Sequence, residues 1–182
     1  MSIKRTILSA GIVVALAAST LLVAETLSSK EDAIKAAYPE ATATEEVQIT
    51  LTADQIAAVK TAYNWELPGA QFKFYVSKKA DAVIGRTIFV GENGKHGMIW
   101  LSVSVNPDGT LQDSVVCSMA EVKGKPVASK QFLKQFFGKK ADSPMNVGKE
   151  IQGVTGATIS SKSVTAAIKK GLILVKTAFP AP

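Results

Sequence analysis

Along the chain, the spacing of apolar residues passes from an unbroken run to a helical period, then to alternation, then back to a helical period. Residues 7–24, ILSAGIVVALAASTLLVA, carry no charge. SSKEDAIKAAYP predicts a short helix with a Ser cap, stopped by Pro39. LTADQIAAVKTAYNW predicts a second helix, capped by Thr52, with Ile56, Val59 and Tyr63 on one side. From Gln71 to Glu121 the period becomes two. FKFYVSK, ADAVIGRTIFVG, GMIWLSVSV and TLQDSVVCSMAE are rich in β-branched and aromatic residues, and the turn NPDG separates the last two. VASKQFLKQFFG predicts a helix with Leu133, Phe136 and Phe137 on one side and Gly138 as its C-cap. A final helix is predicted over 161–177, striped by Val164, Ile168, Leu172 and Val175, with Lys169, Lys170 and Lys176 in its C-terminal half. The expected fold is α+β: an antiparallel sheet of about four strands, helices packed on one face, preceded by an N-terminal anchor or signal segment. The division expected is 1–24 as that segment, 25–70 as a helical region and 71–178 as the main domain.

The apolar run fixes the expected compartment. At about 1.5 Å per residue it spans about 27 Å, close to a bilayer core. Lys4 and Arg5 precede it, so the domain is expected on the outer, periplasmic face of a bacterial cytoplasmic membrane, held by a single pass. The alternative is a cleaved signal peptide with Ala15-Leu16-Ala17 as the small-x-small site, releasing the domain to the periplasm. No Cys comes directly after the run, which excludes a lipoprotein cleavage site.

At 182 residues and a net charge of +6, with scattered lysines not interleaved with aromatics, the chain does not read as a nucleic-acid binder. Cys117 and His96 are the only residues of their kinds, which argues against a His/Cys zinc site and haem attachment by CxxCH and excludes an internal disulfide. No nucleophile–His–acid set is visible, and no catalytic residue is assigned. Redox work by such a chain requires a borrowed cofactor.

The segment KEIQGVTGATISSKSVT, 149–165, carries the most chemistry. A helix start offers unpaired N–H groups and the positive end of the helix dipole. Gly156 and Ala157 permit close approach, Thr155, Thr158, Ser160 and Ser161 supply hydroxyls, and Lys162 adds charge. Phosphate is the anion best matched to this set. The same letters also read as a tight loop with Ser160 or Ser161 as an ordinary cap. No GxxxxGK[ST] is present, so this is not a P-loop.

VTGATISSKSVTAAI resembles the signature of the FMN-binding domain family, found in the G subunit of Rnf-type electron-transport complexes, the C subunit of sodium-translocating NADH:quinone reductases and small exported flavoproteins. GKHGMIWLSVSVNPDGTLQDSVV resembles the family's glycine-led hairpin, and EVKGKPVASKQFLKQFFGK its E-x-x-G loop and F-x-x-x-F helix, so the likeness runs over about 85–175. The resemblance implies FMN esterified to Thr158 by a flavin transferase, with Thr155, Gly156, Ala157, Ser160 and Ser161 around it and Glu121 and Gly124 against the flavin or its ribityl chain. His96 and Trp100 are further ring contacts by resemblance; from the residues alone, Trp100 reads as core, His96 as a loop residue and Cys117 as buried and inert. Two positions depart from the family. Gln152 stands where the family has Asp, and Val122-Lys123 where the complex subunits have Thr-Pro.

The function so implied is a membrane-associated electron-transfer flavoprotein, or oxidoreductase subunit, that passes electrons between redox partners, a membrane redox complex or exported electron carriers, rather than a stand-alone enzyme. The alternatives are a non-redox assembly module that docks on a membrane complex with little or no FMN, and an anchored FMN reductase acting on a small acceptor.

Overall fold

The computed structural model describes residues 24–120 and 124–180. Nearly all of the N-terminal apolar run, and Glu121, lie outside the described residues. Among the described residues no helix is long and apolar enough to cross a membrane.

The elements run β1 (Glu25–Thr26), α1 (Lys30–Ala37), β2 (Ala43–Thr50), α2 (Ala53–Tyr63), β3 (Gln71–Lys79), β4 (Ala82–Asn93), β5 (Met98–Val105), β6 (Leu111–Met119), α3 (Lys130–Leu133) and α4 (Thr158–Ala178). Two 3₁₀ turns, Lys125–Ala128 and Lys134–Phe136, flank α3. The strands form one antiparallel sheet in the order β1-β6-β5-β4-β3-β2. The α+β class and the four-strand meander β3–β6 agree with the sequence pattern. The 25–70 region, predicted helical, also supplies both edge strands. Its helices α1 and α2 begin as expected, at caps Ser29 and Thr52.

β2 is hard to read because it is an exposed edge. Only Val47 and Ile49 are even half-buried, and Glu45 and Glu46 pair across the ladder with Lys78 and Lys73, each at 2.7 Å. Charges on such an edge also discourage pairing with a second chain.

Alternation in β5 sets the two faces of the sheet. Ile99, Leu101, Val103 and Val105 are buried against α4. Gly171 of α4 sits so near β5 that a Cβ there would lie 2.6 Å from Val103 Cβ. Phe132, Leu133 and Phe136 join the same core, as do Val59 of α2 and Leu51. α1 covers part of the opposite face. There Ser102 and Ser104 are fully buried, Thr87 Oγ1 and Ser104 Oγ share a hydrogen bond of 2.8 Å, and Gly85 leaves room for the Tyr38 ring. Thus α2, α3 and α4 form the expected helical layer, and α1 adds a small cover behind it.

The predicted helix over 127–138 is broken into one α turn between two 3₁₀ turns. Pro126 opens the first, and Ser129, in extended backbone, restarts the chain by accepting Phe132 N–H at 3.2 Å. Gly138 ends the segment in the left-handed region, φ +74°, as a C-cap requires.

Near the C-terminus of α4, Lys176 donates to Asp142 at 2.6 Å and Tyr63 donates to the same carboxylate at 2.7 Å. Lys176 first, and Tyr63 second, hold the Asp142 carboxyl below its usual range. A lowered folded pKa gives stability that is complete above the unfolded value and lost as pH falls through the folded one. The group is exposed, so the gain is about 0.2–1 kcal/mol. Asp142→Asn should therefore unfold at lower urea concentration than wild type near neutrality. The difference should close as pH drops below about 4.

Candidate functional site

Four chain segments converge where α4 begins. Ser163 Oγ donates to the carbonyl of Asn93, at the end of β4, at 2.6 Å. Lys170, two turns on, pairs with Glu92. The tip of the β4–β5 hairpin approaches the end of β6: a Cβ on Gly97 would lie 3.4 Å from Ala120 Cβ. The 3₁₀ turn that follows Gly124 packs against α4, with Val127 fully buried. Gln135, just after α3, clamps the backbone of Gln152, accepting its N–H at 2.7 Å and donating to its carbonyl at 3.2 Å.

The loop entering α4 is fixed by one side chain. Ser161 Oγ accepts Val154 N–H at 3.0 Å and donates to the Ala157 carbonyl at 2.9 Å. Ala157 N–H bonds back to Val154 O at 3.0 Å, closing a turn in which Gly156 adopts φ +75°. A side chain at 156 would be strained in that backbone. Gly153 is packed closely as well, since a Cβ there would meet Val147 Cγ1 at 2.9 Å.

The helix starts at Thr158, three residues earlier than the pattern predicts, and neither Ser160 nor Ser161 is its cap. The cap is Ala157, which has no side-chain acceptor, and no acidic residue lies in the first turn. Ser161 is used inward instead, holding the loop. The helix pole is thus left to an external acceptor more than ordinary capping would leave it.

Exposure sorts the hydroxyls. Thr155 and Thr158 are exposed, while Ser160 and Ser161 are buried. Thr158, the first residue of the helix, therefore combines an accessible nucleophilic oxygen with the uncapped pole. Gly156 is exposed with nothing within 4 Å of a Cβ position, Ala157 is buried, and Gly124 is buried at the head of its 3₁₀ turn. Gln152 is exposed. Trp100, which reads as core in the sequence, is 47% exposed; with Met98 it stands over Gly91 on the face away from α4. His96 is exposed in the β4–β5 connection. Cys117 is buried, and burial pushes its thiol pKa up, consistent with an inert role.

Asn93 and Gln135 carry the architecture of this end and have no signal in sequence. Each acts through partners 17 or 70 residues away. Ser161→Ala should leave Val154 N–H and Ala157 O without that partner, at about 1–3 kcal/mol. Hydrogen exchange at the Val154 amide should accelerate well before any global loss of protection.

Residues 94–173 match the family described as FMN-binding domain. The chain is 38% identical over 111 residues to the G subunit of the proton-translocating ferredoxin:NAD(+) oxidoreductase complex of Clostridium ljungdahlii, covering 57% of this chain and 60% of that protein. It is 27% identical over 130 residues to the G subunit of the Na(+)-translocating ferredoxin:NAD(+) oxidoreductase complex of Acetobacterium woodii, covering 66% and 63%. The match thus spans less than two thirds of the length of these curated relatives. In fold it is similar to the C subunit of Na(+)-translocating NADH-quinone reductase from Parabacteroides distasonis, with TM-score 0.56, 18% identity and coverage of 85% of this chain and 86% of that one. Shewanella oneidensis NqrC gives TM-score 0.54 at 16% identity over 80% and 85%. With the uncapped helix start, the β5–β6 hairpin and the 3₁₀ turn all inside the matched range, residues 94–173 resemble the FMN-binding domain family, in sequence the two complex G subunits and in fold the two NADH-quinone reductase C subunits.

Proposed function

We propose that the chain is an electron-transfer flavoprotein of the complex-subunit kind, whose FMN is esterified to Thr158 and whose partners belong to a membrane redox complex. One observation carries this reading. Thr158 is an exposed hydroxyl at the first position of a helix whose cap has no side-chain acceptor and whose first turn has no acid. A phosphate diester there keeps about one negative charge, which the helix pole and Lys162 would each stabilise by about 0.3–1 kcal/mol.

The chain's own residues do the holding. Gly156 keeps the approach to the backbone open, Ser161 fixes the loop, and Ser163 ties the first turns of α4 to β4. The flavin, when bound, supplies the one- and two-electron chemistry that no side chain here provides. Glu121 and Gly124 are proposed contacts of the flavin or its ribityl chain, and Thr155, Ala157 and Ser160 complete the phosphate end. Attachment by a flavin transferase, and a domain held on the outer face of the membrane by residues 1–24, belong to the same reading. The names of the two bacterial G-subunit relatives, both parts of ferredoxin:NAD(+) oxidoreductase complexes, support a role inside an assembly.

Intact-mass and absorbance measurements on protein isolated from its native host test this. A mass above the bare polypeptide by one FMN less water, with yellow colour, supports the proposal. Gln152 favours a second reading, since a transferase that reads a carboxylate there would not find one. Yellow protein with bare polypeptide mass would mean that FMN binds without the ester. Colourless protein of bare mass would mean an assembly module.

A further inference from the structure

At the opposite end of α4 from Thr158 lies a concave site. The two ends are about 26 Å apart at about 1.5 Å per residue. A cavity of about 340 Å³ opens between the C-terminal turns of α4, the β5–β6 turn and the loop at 140–142. Its volume is at the lower end of small-molecule sites. Val105, Leu172, Val175 and Phe179 give it apolar walls.

Arg86 projects from β4 into this cavity, with its guanidinium 4.5 Å from the centre of the Phe179 ring. Its Nε is buried and has no hydrogen-bond partner. Among the described residues no carboxylate lies within ion-pair distance of it. The two nearby acids are engaged elsewhere: Asp142 with Lys176 and Tyr63, and Asp108 with the Thr110 amide and hydroxyl at 2.9 and 2.6 Å. Lys140, also on the wall, pairs with no carboxylate among the described residues either. Burial pulls the Arg86 pKa below its ordinary value, as expected of a cation short of a counter-charge. Partly buried guanidinium groups are ordinarily paired, and their planar fork suits carboxylate better than any other common anion.

We propose that this cavity binds a small carboxylate with a flat apolar body, its carboxylate bonded two-pronged to Arg86 and its body against Phe179, Leu172 and Val175. The site is separate from the flavin end and does not depend on the FMN reading. No covalent step is involved.

Benzoate is the probe, with benzamide as its neutral counterpart, titrated into the full chain. The readout is the Arg86 Nε–H signal in ¹H–¹⁵N spectra. Benzoate should shift that signal saturably, and benzamide should bind about tenfold more weakly or worse. Arg86→Lys keeps the charge but loses the fork, and should weaken benzoate by a similar factor. Three results would each overturn the proposal: no saturable shift with benzoate, equal binding of benzamide, or unchanged affinity in Arg86→Lys. If Arg86→Lys does not fold, the benzoate–benzamide contrast on wild type still decides.

Discussion

Thr158→Val is expected to abolish covalent flavin while leaving the fold intact. Coexpressed with a flavin transferase, the wild-type chain should retain flavin fluorescence on a denaturing gel, and the variant should show none. The contrast is all-or-none because valine keeps the shape of threonine and removes only the oxygen that would form the proposed ester. Neighbouring hydroxyls do not offer a simple substitute. Ser160 is 2% exposed and Ser161 is fully buried with its oxygen committed to Val154 and Ala157. Thr155 is the one nearby exposed alternative, so Thr155→Val belongs beside the first variant and should remain fluorescent. Because Thr158 is exposed and has no capping role, the stability change should stay within about 0.5 kcal/mol. Fluorescence surviving in Thr158→Val and lost in Thr155→Val would move the attachment to Thr155.

Much of this site is legible in the sequence because its signals are local. Turn glycines, the NPDG hairpin and the α4 stripe each depend on residues within one or two turns of chain, and all appear where the pattern puts them. The start of α4 differs by three residues for a physical reason. A serine before an apolar stripe ordinarily caps a helix, but here Ser161 points inward to hold the loop while Ala157 caps without a side chain. β2 is invisible in the pattern because an exposed edge strand needs no apolar face. Trp100 is misread because alternation gives only the two faces of a strand and not which of them a helix covers. On the α1 side of β5, Ser102 and Ser104 are fully buried, whereas Trp100 on the same face is left 47% exposed. The Ser163–Asn93 and Gln135–Gln152 contacts, which bring the segments together, are long-range and leave no trace in spacing.

The second large effect is expected at Gly171, where α4 lies on the sheet. Alanine is the better helix former by about 1 kcal/mol, so propensity alone predicts that Gly171→Ala stabilises. Packing decides otherwise. The added Cβ would fall 2.6 Å from both Cβ and Cγ2 of Val103. Val103 is fully buried, and its Cβ is tied to the backbone of a central strand, so neither can swing aside. Overpacking of this kind costs up to about 3 kcal/mol, leaving a net loss of about 2 kcal/mol. For a chain of this size the melting temperature should fall by about 4–8 °C. The diagnostic is Val103→Ala, which removes Cγ1 and Cγ2 and leaves only Cβ of the three atoms that clash. In a double-mutant cycle by urea unfolding, Gly171→Ala with Val103→Ala should be less destabilised than the sum of the single changes by about 1–2 kcal/mol. Additivity within about 0.5 kcal/mol would show that α4 does not rest on β5 at this point. The same displacement should reach the proposed flavin end, because Ser163 joins Asn93 only two turns upstream on the same helix. Gly171→Ala should therefore lower the yield of covalent flavin, and Val103→Ala should restore part of it.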